Sequence, residues 1–298
     1  MKKFLAILLI AFSLIVLSGV SGCNQPAEGT SAAGLQMAFV ENAPPVSIAA
    51  GKEFPIYLEV TNKGDEFINP GEAKFYLSGI GPNLENVNYS LTNSGKLEKG
   101  SIFPEKLSFA EKAKFTFPIT APFSLPVVAT ACYSYSTTAQ ASLCISATNA
   151  SKICSVSGEK LIALIANTEG PIQIASIKEM LSGSKLVLTI DLVNKGTGEV
   201  YILDTNCDKL EANDPRESSD KQGKVNINIL SKDIFVCSLQ SDQAPYGQVR
   251  GLIGIAPITR ILCEKTITNE DYTSPISIVL RYKYKDSISK LVNMMPSS

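Results

Sequence analysis

The chain contains no histidine and no tryptophan. Without histidine it can form neither a Ser-His-Asp triad nor a Cys-His pair, and it cannot ligate zinc or iron through imidazole. Cys-x-x-Cys is absent as well, which argues against a zinc ribbon. Charge of either sign is in short supply: 27 Lys and Arg face 28 Asp and Glu, a formal balance of −1 that offers nothing to attract nucleic acid. Long amphipathic helical patterns are missing, so the fold class must come from strands.

What is present begins at the first residue. Lys2 and Lys3 precede an apolar stretch from Phe4 to Leu17, and Val20-Ser21-Gly22-Cys23 follows. Positive charge, a short apolar run and small residues before a cleavage point are the parts of a signal peptide, and the run falls short of the ~20 residues a spanning helix needs. The four residues ending in Cys23 resemble a lipobox. That resemblance implies cleavage after Gly22, a lipid on Cys23 and a mature protein outside the cell. An uncleaved anchor helix is the competing reading of residues 1–22, and it too places the remainder outside.

Residues 23–34 carry no aromatic or large aliphatic side chain and read as a lipidated cysteine followed by a flexible tether. About 275 residues remain, enough for two domains of ordinary size. Phe54 to Thr61 alternates apolar with polar residues and ends in the turn Asn62-Lys63-Gly64; Leu186 to Val193 is a second such strand, ending in Asn194-Lys195-Gly196. Farther on, Ala131-Cys132-Tyr133-Ser134-Tyr135 matches Leu280-Arg281-Tyr282-Lys283-Tyr284, and Ala141 to Cys144 matches Lys290 to Asn293. Two landmarks repeated in order indicate an internal duplication. The predicted fold is all-β: two tandem immunoglobulin-like β-sandwich domains after the signal peptide, over residues 35–148 and 161–298, with 149–160 as the connection.

Setting Cys23 aside, six cysteines remain in an exported chain, which predicts three disulfides. The second copy has Arg281 and Asn293 where the first has Cys132 and Cys144, so both cysteines are lost together. This predicts a Cys132–Cys144 bond across a final hairpin. Cys154, Cys207, Cys237 and Cys263 allow three pairings, with Cys154 expected to fasten the connection to the second sandwich.

Other candidates are weaker. Asp204, Asn206 and Asp208 place oxygen ligands at alternate positions, as calcium loops do, but Lys209 stands where that loop needs glycine and Pro215 where it needs glutamate. Calcium is therefore the one cofactor with any support. Asn88-Tyr89-Ser90 and Asn149-Ala150-Ser151 are glycosylation sequons. Ser157 with Lys160 and Ser182 with Lys185 have Ser-x-x-Lys spacing, but each includes a glycine suited to a turn rather than a helix. Tyr133, Tyr135, Tyr282 and Tyr284 alternate along their strands, which suits either a sugar platform or a packed face.

The segments Gly34 to Pro45, Leu58 to Gly64 and Leu192 to Gly196 resemble archaeal surface proteins built from CARDB-like, immunoglobulin-type repeats. The resemblance implies an adhesion or scaffold module with no catalytic residues to carry over. The predicted function is a non-enzymatic, lipid-anchored protein on the extracellular face of a membrane. It would act as an adhesion or envelope-scaffold module whose partners are envelope proteins or glycans, and not nucleic acid. The alternative is a solute- or calcium-binding lipoprotein associated with a membrane transporter.

Overall fold

The computed structural model describes residues 34–81, 84–149, 151–160, 167–242, 248–256 and 258–296. The expected signal peptide and the expected lipid site, Cys23, lie outside the described residues. The first half of the chain forms β1 (Leu35–Phe39), β2 (Ser47–Ala49), β3 (Phe54–Asn62), β4 (Ala73–Ser78), β5 (Leu84–Glu85), β6 (Ser90–Thr92), β7 (Glu105–Phe115) and β8 (Phe123–Ser146). The second forms β9 (Gly158–Glu159), β10 (Ile172–Ser182), β11 (Lys185–Asn194), β12 (Glu199–Tyr201), α1 (Cys207–Glu211), α2 (Pro215–Ser218), β13 (Lys224–Ser231), β14 (Val236–Cys237), β15 (Gln240–Asp242), β16 (Gln248–Gly254), β17 (Ile258–Thr266) and β18 (Asp271–Met295). The protein is all-β, with two very short helices.

Three sheets carry the architecture. A four-stranded sheet has the order β1-β3-β7-β5, a five-stranded one β14-β17-β11-β10-β9, and a nine-stranded one centres on β15-β16-β13-β18-β8-β4-β6. Alternation explains how they face one another. In β3 every second residue is buried, so Phe54, Ile56, Leu58 and Val60 meet Phe75, Leu77, Ala129 and Ala131 of the nine-stranded sheet in one core.

The halves repeat one another down to their hydrogen bonds. Asn62 Oδ1 accepts from Gly64 N at 3.2 Å and its Nδ2 donates to Glu66 O at 2.7 Å; Asn194 does the same with Gly196 N at 3.0 Å and Gly198 O at 3.1 Å. Leu35 N donates to Tyr133 Oη as Ile172 N donates to Tyr282 Oη. Leu35 pairs with Asn62 in the β1 register, and Ile172 with Asn194 in that of β10.

Two expectations fail at the long strands. Val127–Tyr135 and Ala141–Ala147 are not two arms of a hairpin but parts of β8, and β18 likewise runs unbroken. The polar stretch from Ser136 to Gln140 has no glycine, proline or asparagine to turn on, and its alternation continues: Thr137 and Ala139 are buried while Gln140 is exposed. β8 and β18 pair antiparallel from Phe123 opposite Met294 to Ser146 opposite Asp271. The sandwiches bounded at 148 and 161 are therefore not independent. The far end of β18 buries Val292 and Met294 beside β1 and β2, while the far end of β8 buries Leu143 and Ile145 beside β10. Each long strand packs against strands of both halves of the chain, and the expected connection supplies β9, which pairs with β10.

Candidate functional site

The nine-stranded sheet has an inner face packed on the core and an outer face. On β13, Val225, Ile227 and Ile229 point inward, which sends Asn226, Asn228 and Leu230 outward. Cross-strand pairing sets their neighbours. Asn226 lies between Leu252 and Arg281, Asn228 between Arg250 and Val279, and Leu230 between Gln248 and Ser277. The result is a groove of about 960 Å³ over Asn226, Asn228, Arg250 and Arg281. A second hollow of about 540 Å³, lined by residues that include Gln140, Ser142 and Lys232, lies along the same face. Arg250 and Arg281 enter no ion pair among the described residues, and Asn228 Oδ1 is buried without a hydrogen-bond partner.

One wall of the groove comes from an excursion found only in the second half. The segment from the turn asparagine to the strand beside the long strand runs from Lys63 to Glu72 in the first half, but from Lys195 to Lys224 in the second before Val225, the equivalent residue of Ala73, is reached. This insertion carries α1 and α2. Leu203 N donates to Asn226 Oδ1 at 3.0 Å, fixing the wall to the floor. Asn206 caps α1 by accepting from Asp208 N and Lys209 N. Glu217 accepts from Asn206 N at 2.8 Å, and this bond, followed by Lys221, holds its carboxyl below the usual glutamate range.

The same insertion covers the equivalent face of the first half. Register makes Lys74, Tyr76 and Cys132 the counterparts of Asn226, Asn228 and Arg281. Cys207 forms a disulfide with Cys132, and Tyr76, Cys132, Tyr201, Cys207 and Leu210 form a small apolar cluster of their own. Asp208 pairs with Lys74 and accepts from Tyr76 Oη at 2.8 Å; Lys74 first and Tyr76 second pull its carboxyl down, while burial first and Asp208 second push the phenol up. One half thus has a covered outer face, and the other has an open one.

The disulfides correct the expected pairing. Cys132 bonds Cys207, Cys144 bonds Cys154 and Cys237 bonds Cys263. Cys132 and Cys144 lie on one extended strand, roughly 40 Å apart at ~3.3 Å per residue, so they cannot meet. Cys154 joins the first copy's strand rather than a cysteine of the second. That end of β8 packs beside β10, so the bond ties residues near Cys154 to a strand that starts in the first half.

The calcium candidates do not converge. Asn206 serves as a helix cap, Asp208 is bound to Lys74, and Asp204 lies 3.6 Å from Lys221. Among the described residues no group of three or more acidic or cysteine side chains is placed to hold a metal ion. Asn88 and Asn149 are exposed. The four tyrosines are buried, and their rings pack on one another: Tyr133 with Tyr284 at 6.0 Å between centroids, Tyr135 with Tyr282 at 6.1 Å. In the Ser-x-x-Lys segments, Lys160 pairs with the buried Glu179 at 3.1 Å and Lys185 with Glu264 at 2.7 Å, so neither lysine stands ready beside its serine. Asp233 accepts from Tyr272 Oη and from the hydroxyl of the fully buried Ser274 and lies 3.7 Å from Lys265, so its carboxylate is occupied, although Asp233, Tyr272 and Lys265 also line a hollow of about 620 Å³.

Sequence reading overlooked the groove. Arg281 stood out only as the residue replacing a cysteine, and Asn226, Asn228 and Arg250 lie on strands that were not singled out. The usable signal was polar residues, two arginines among them, at the outward positions of otherwise apolar strands.

No family model matches this chain, and no curated protein sequence matches it. Among solved structures, the secreted serine protease VesC from Vibrio cholerae is similar with a TM-score of 0.19 and 9% identity, over 86% of this chain and 51% of that one. The match spans about half of the protease, and likeness at this level carries no argument about activity. No helix among the described residues is long and apolar enough to cross a membrane.

Proposed function

We propose that this is a non-enzymatic, lipid-anchored surface protein whose two immunoglobulin-like halves hold an acidic glycan of the cell envelope on the open outer face of the second half. The observation that carries the reading is the contrast between the two equivalent faces. One is sealed by Cys132 and Cys207; its counterpart presents Arg281 and Arg250 over a floor of asparagines. Arginine matches a carboxylate with two parallel donors, and carboxamides of Asn and Gln can both donate to and accept from sugar hydroxyls. A peptide that adds a strand would need an unpaired sheet edge, whereas this groove runs over a face.

Leu35, next to the first described residue, lies at the inner face of the nine-stranded sheet, where its N donates to Tyr133 Oη. Arg281 precedes the inward Tyr282 and therefore points to the outer face. In the anchored reading this leaves the groove free to face away from the membrane. Glycans on the exposed Asn88 and Asn149 fit an extracellular location.

Titration calorimetry with polygalacturonate, and with dextran as a neutral control, tests this reading. Binding restricted to the acidic polymer, weakened about tenfold by Arg281→Ala or Arg250→Ala and by added salt, supports it. Equal affinity for both polymers, or binding indifferent to both arginines, overturns it.

A further inference from the structure

The most exposed apolar residues of the first half lie beside the point where the tether enters the fold. Ile102 and Phe103 are 76% and 78% exposed, side by side. Ser101 holds them out: its Oγ accepts from Phe103 N at 3.2 Å and donates to Phe103 O at 2.9 Å. The base of this loop is bonded to the segment that receives Gly34. Ser101 N donates to Asn62 O at 2.9 Å, Gly100 N to Gly64 O at 3.0 Å, and Lys63 N to Gly34 O at 2.8 Å. Only eleven positions separate Cys23 from Gly34. At ~3.3–3.6 Å per residue, the start of the fold stays within roughly 40 Å of a lipid on Cys23.

We infer that Ile102 and Phe103 form a membrane-contacting tip that enters the interfacial layer of the bilayer carrying the anchor. The inference rests on the anchored reading of Cys23 for its biological setting. A lipid on Cys23 tethers the chain without orienting the fold, and a second contact with the interfacial layer would fix its orientation. Two large side chains of this kind favour an apolar phase over water by roughly tenfold each. The rim is mixed in charge, with Lys96 paired to Glu98 at 3.2 Å, so the tip needs no anionic lipid.

The test supplies the anchor chemically, which separates it from the question of lipidation. Six of the seven cysteines are in disulfides, leaving Cys23 as the thiol through which a chain beginning there can be coupled to a maleimide lipid in phosphatidylcholine vesicles. Because the protein has no tryptophan, Phe103→Trp introduces a lone reporter, and Val236→Trp places one at a site 75% exposed in the second half. The expected result is a blue-shifted indole at position 103, quenched by lipids labelled near the headgroup, while the control remains unchanged. An unshifted indole at 103 in coupled vesicles overturns the inference. Equal shifts at both positions overturn it too, as does a concentration-dependent shift without vesicles, which would show a second copy covering the tip. The mass of the mature protein from cells decides separately whether Cys23 carries lipid.

Discussion

Lys283 and Ser134 face each other at the midpoint of the longest strand pair, with Lys283 Nζ donating to Ser134 Oγ at 2.9 Å. They are also equivalent residues of the two halves, so the approximate two-fold axis passes between them. On the opposite face Tyr133, Tyr135, Tyr282 and Tyr284 surround the same axis. The duplicated halves are thus joined as the two subunits of a symmetric dimer would be, through a shared sheet.

The matching turns predict matching costs. Asn62→Ala and Asn194→Ala each remove a side chain that bridges its own turn, and each should lower stability by about 1–3 kcal/mol in urea unfolding. Gly64→Ala should cost more, because a Cβ there would overlap Tyr135 Oη. Adding Tyr135→Phe removes that oxygen and should recover part of the loss. A double variant no better than the sum of the single changes would rule out this steric account.

Opening the Cys132–Cys207 bond should release the insertion. Cys132→Ala with Cys207→Ala is expected to cost about 2–5 kcal/mol, since the bond closes a long loop of 75 residues in separation. Proteolysis should then cut near α1 and α2 while the strands remain resistant.

The buried phenols should titrate late. Burial foremost pushes Tyr135 and Tyr284 up to about 12, and burial raises Tyr133 and Tyr282 well above the ordinary value as well. Their folded values lie above the unfolded value of 10.0, so their contribution is fully present below that pH and declines above it. Phenolate absorbance should therefore rise in two stages, with the second coinciding with loss of near-UV circular dichroism.

Glu179 predicts a pH-dependent difference. Burial raises its carboxyl above the ordinary 4.5, against the opposing pull of Cys144 N and Lys160. The folded protein holds this proton more tightly than the unfolded chain does, so the stabilising contribution is complete below 4.5 and shrinks as pH rises through the folded value. Glu179→Gln lacks that slope, so the stability of the wild type minus that of the variant should fall with rising pH. A difference that rises from about pH 4 to pH 8 in urea midpoints would contradict this assignment.

How much of this was legible depended on distance along the chain. Alternation from Phe54 to Thr61 and the Asn-Lys-Gly turns could be read directly, because local backbone geometry decides both. Where β8 continues past Tyr135 could not, because Ser136 to Gln140 are polar but for Ala139 yet pair with β18, more than a hundred residues away. The cysteine pairing was hidden for the same reason: Cys132 meets Cys207 only once the second half's insertion lies across the first half's face. Arg281 and Asn226 become a site only through cross-strand register, which no local pattern encodes.

A polypeptide is made from its N-terminus, and the exchange of β8 and β18 gives that order a consequence. Val292 and Met294 are made long after Leu35, yet they are buried in the same core as it. Until they arrive, β8 presents a long unsatisfied edge. The first half therefore has to wait for the second, and the protein closes in one late, joint event; a prematurely terminated chain would be left with neither half complete and a strand open to other molecules.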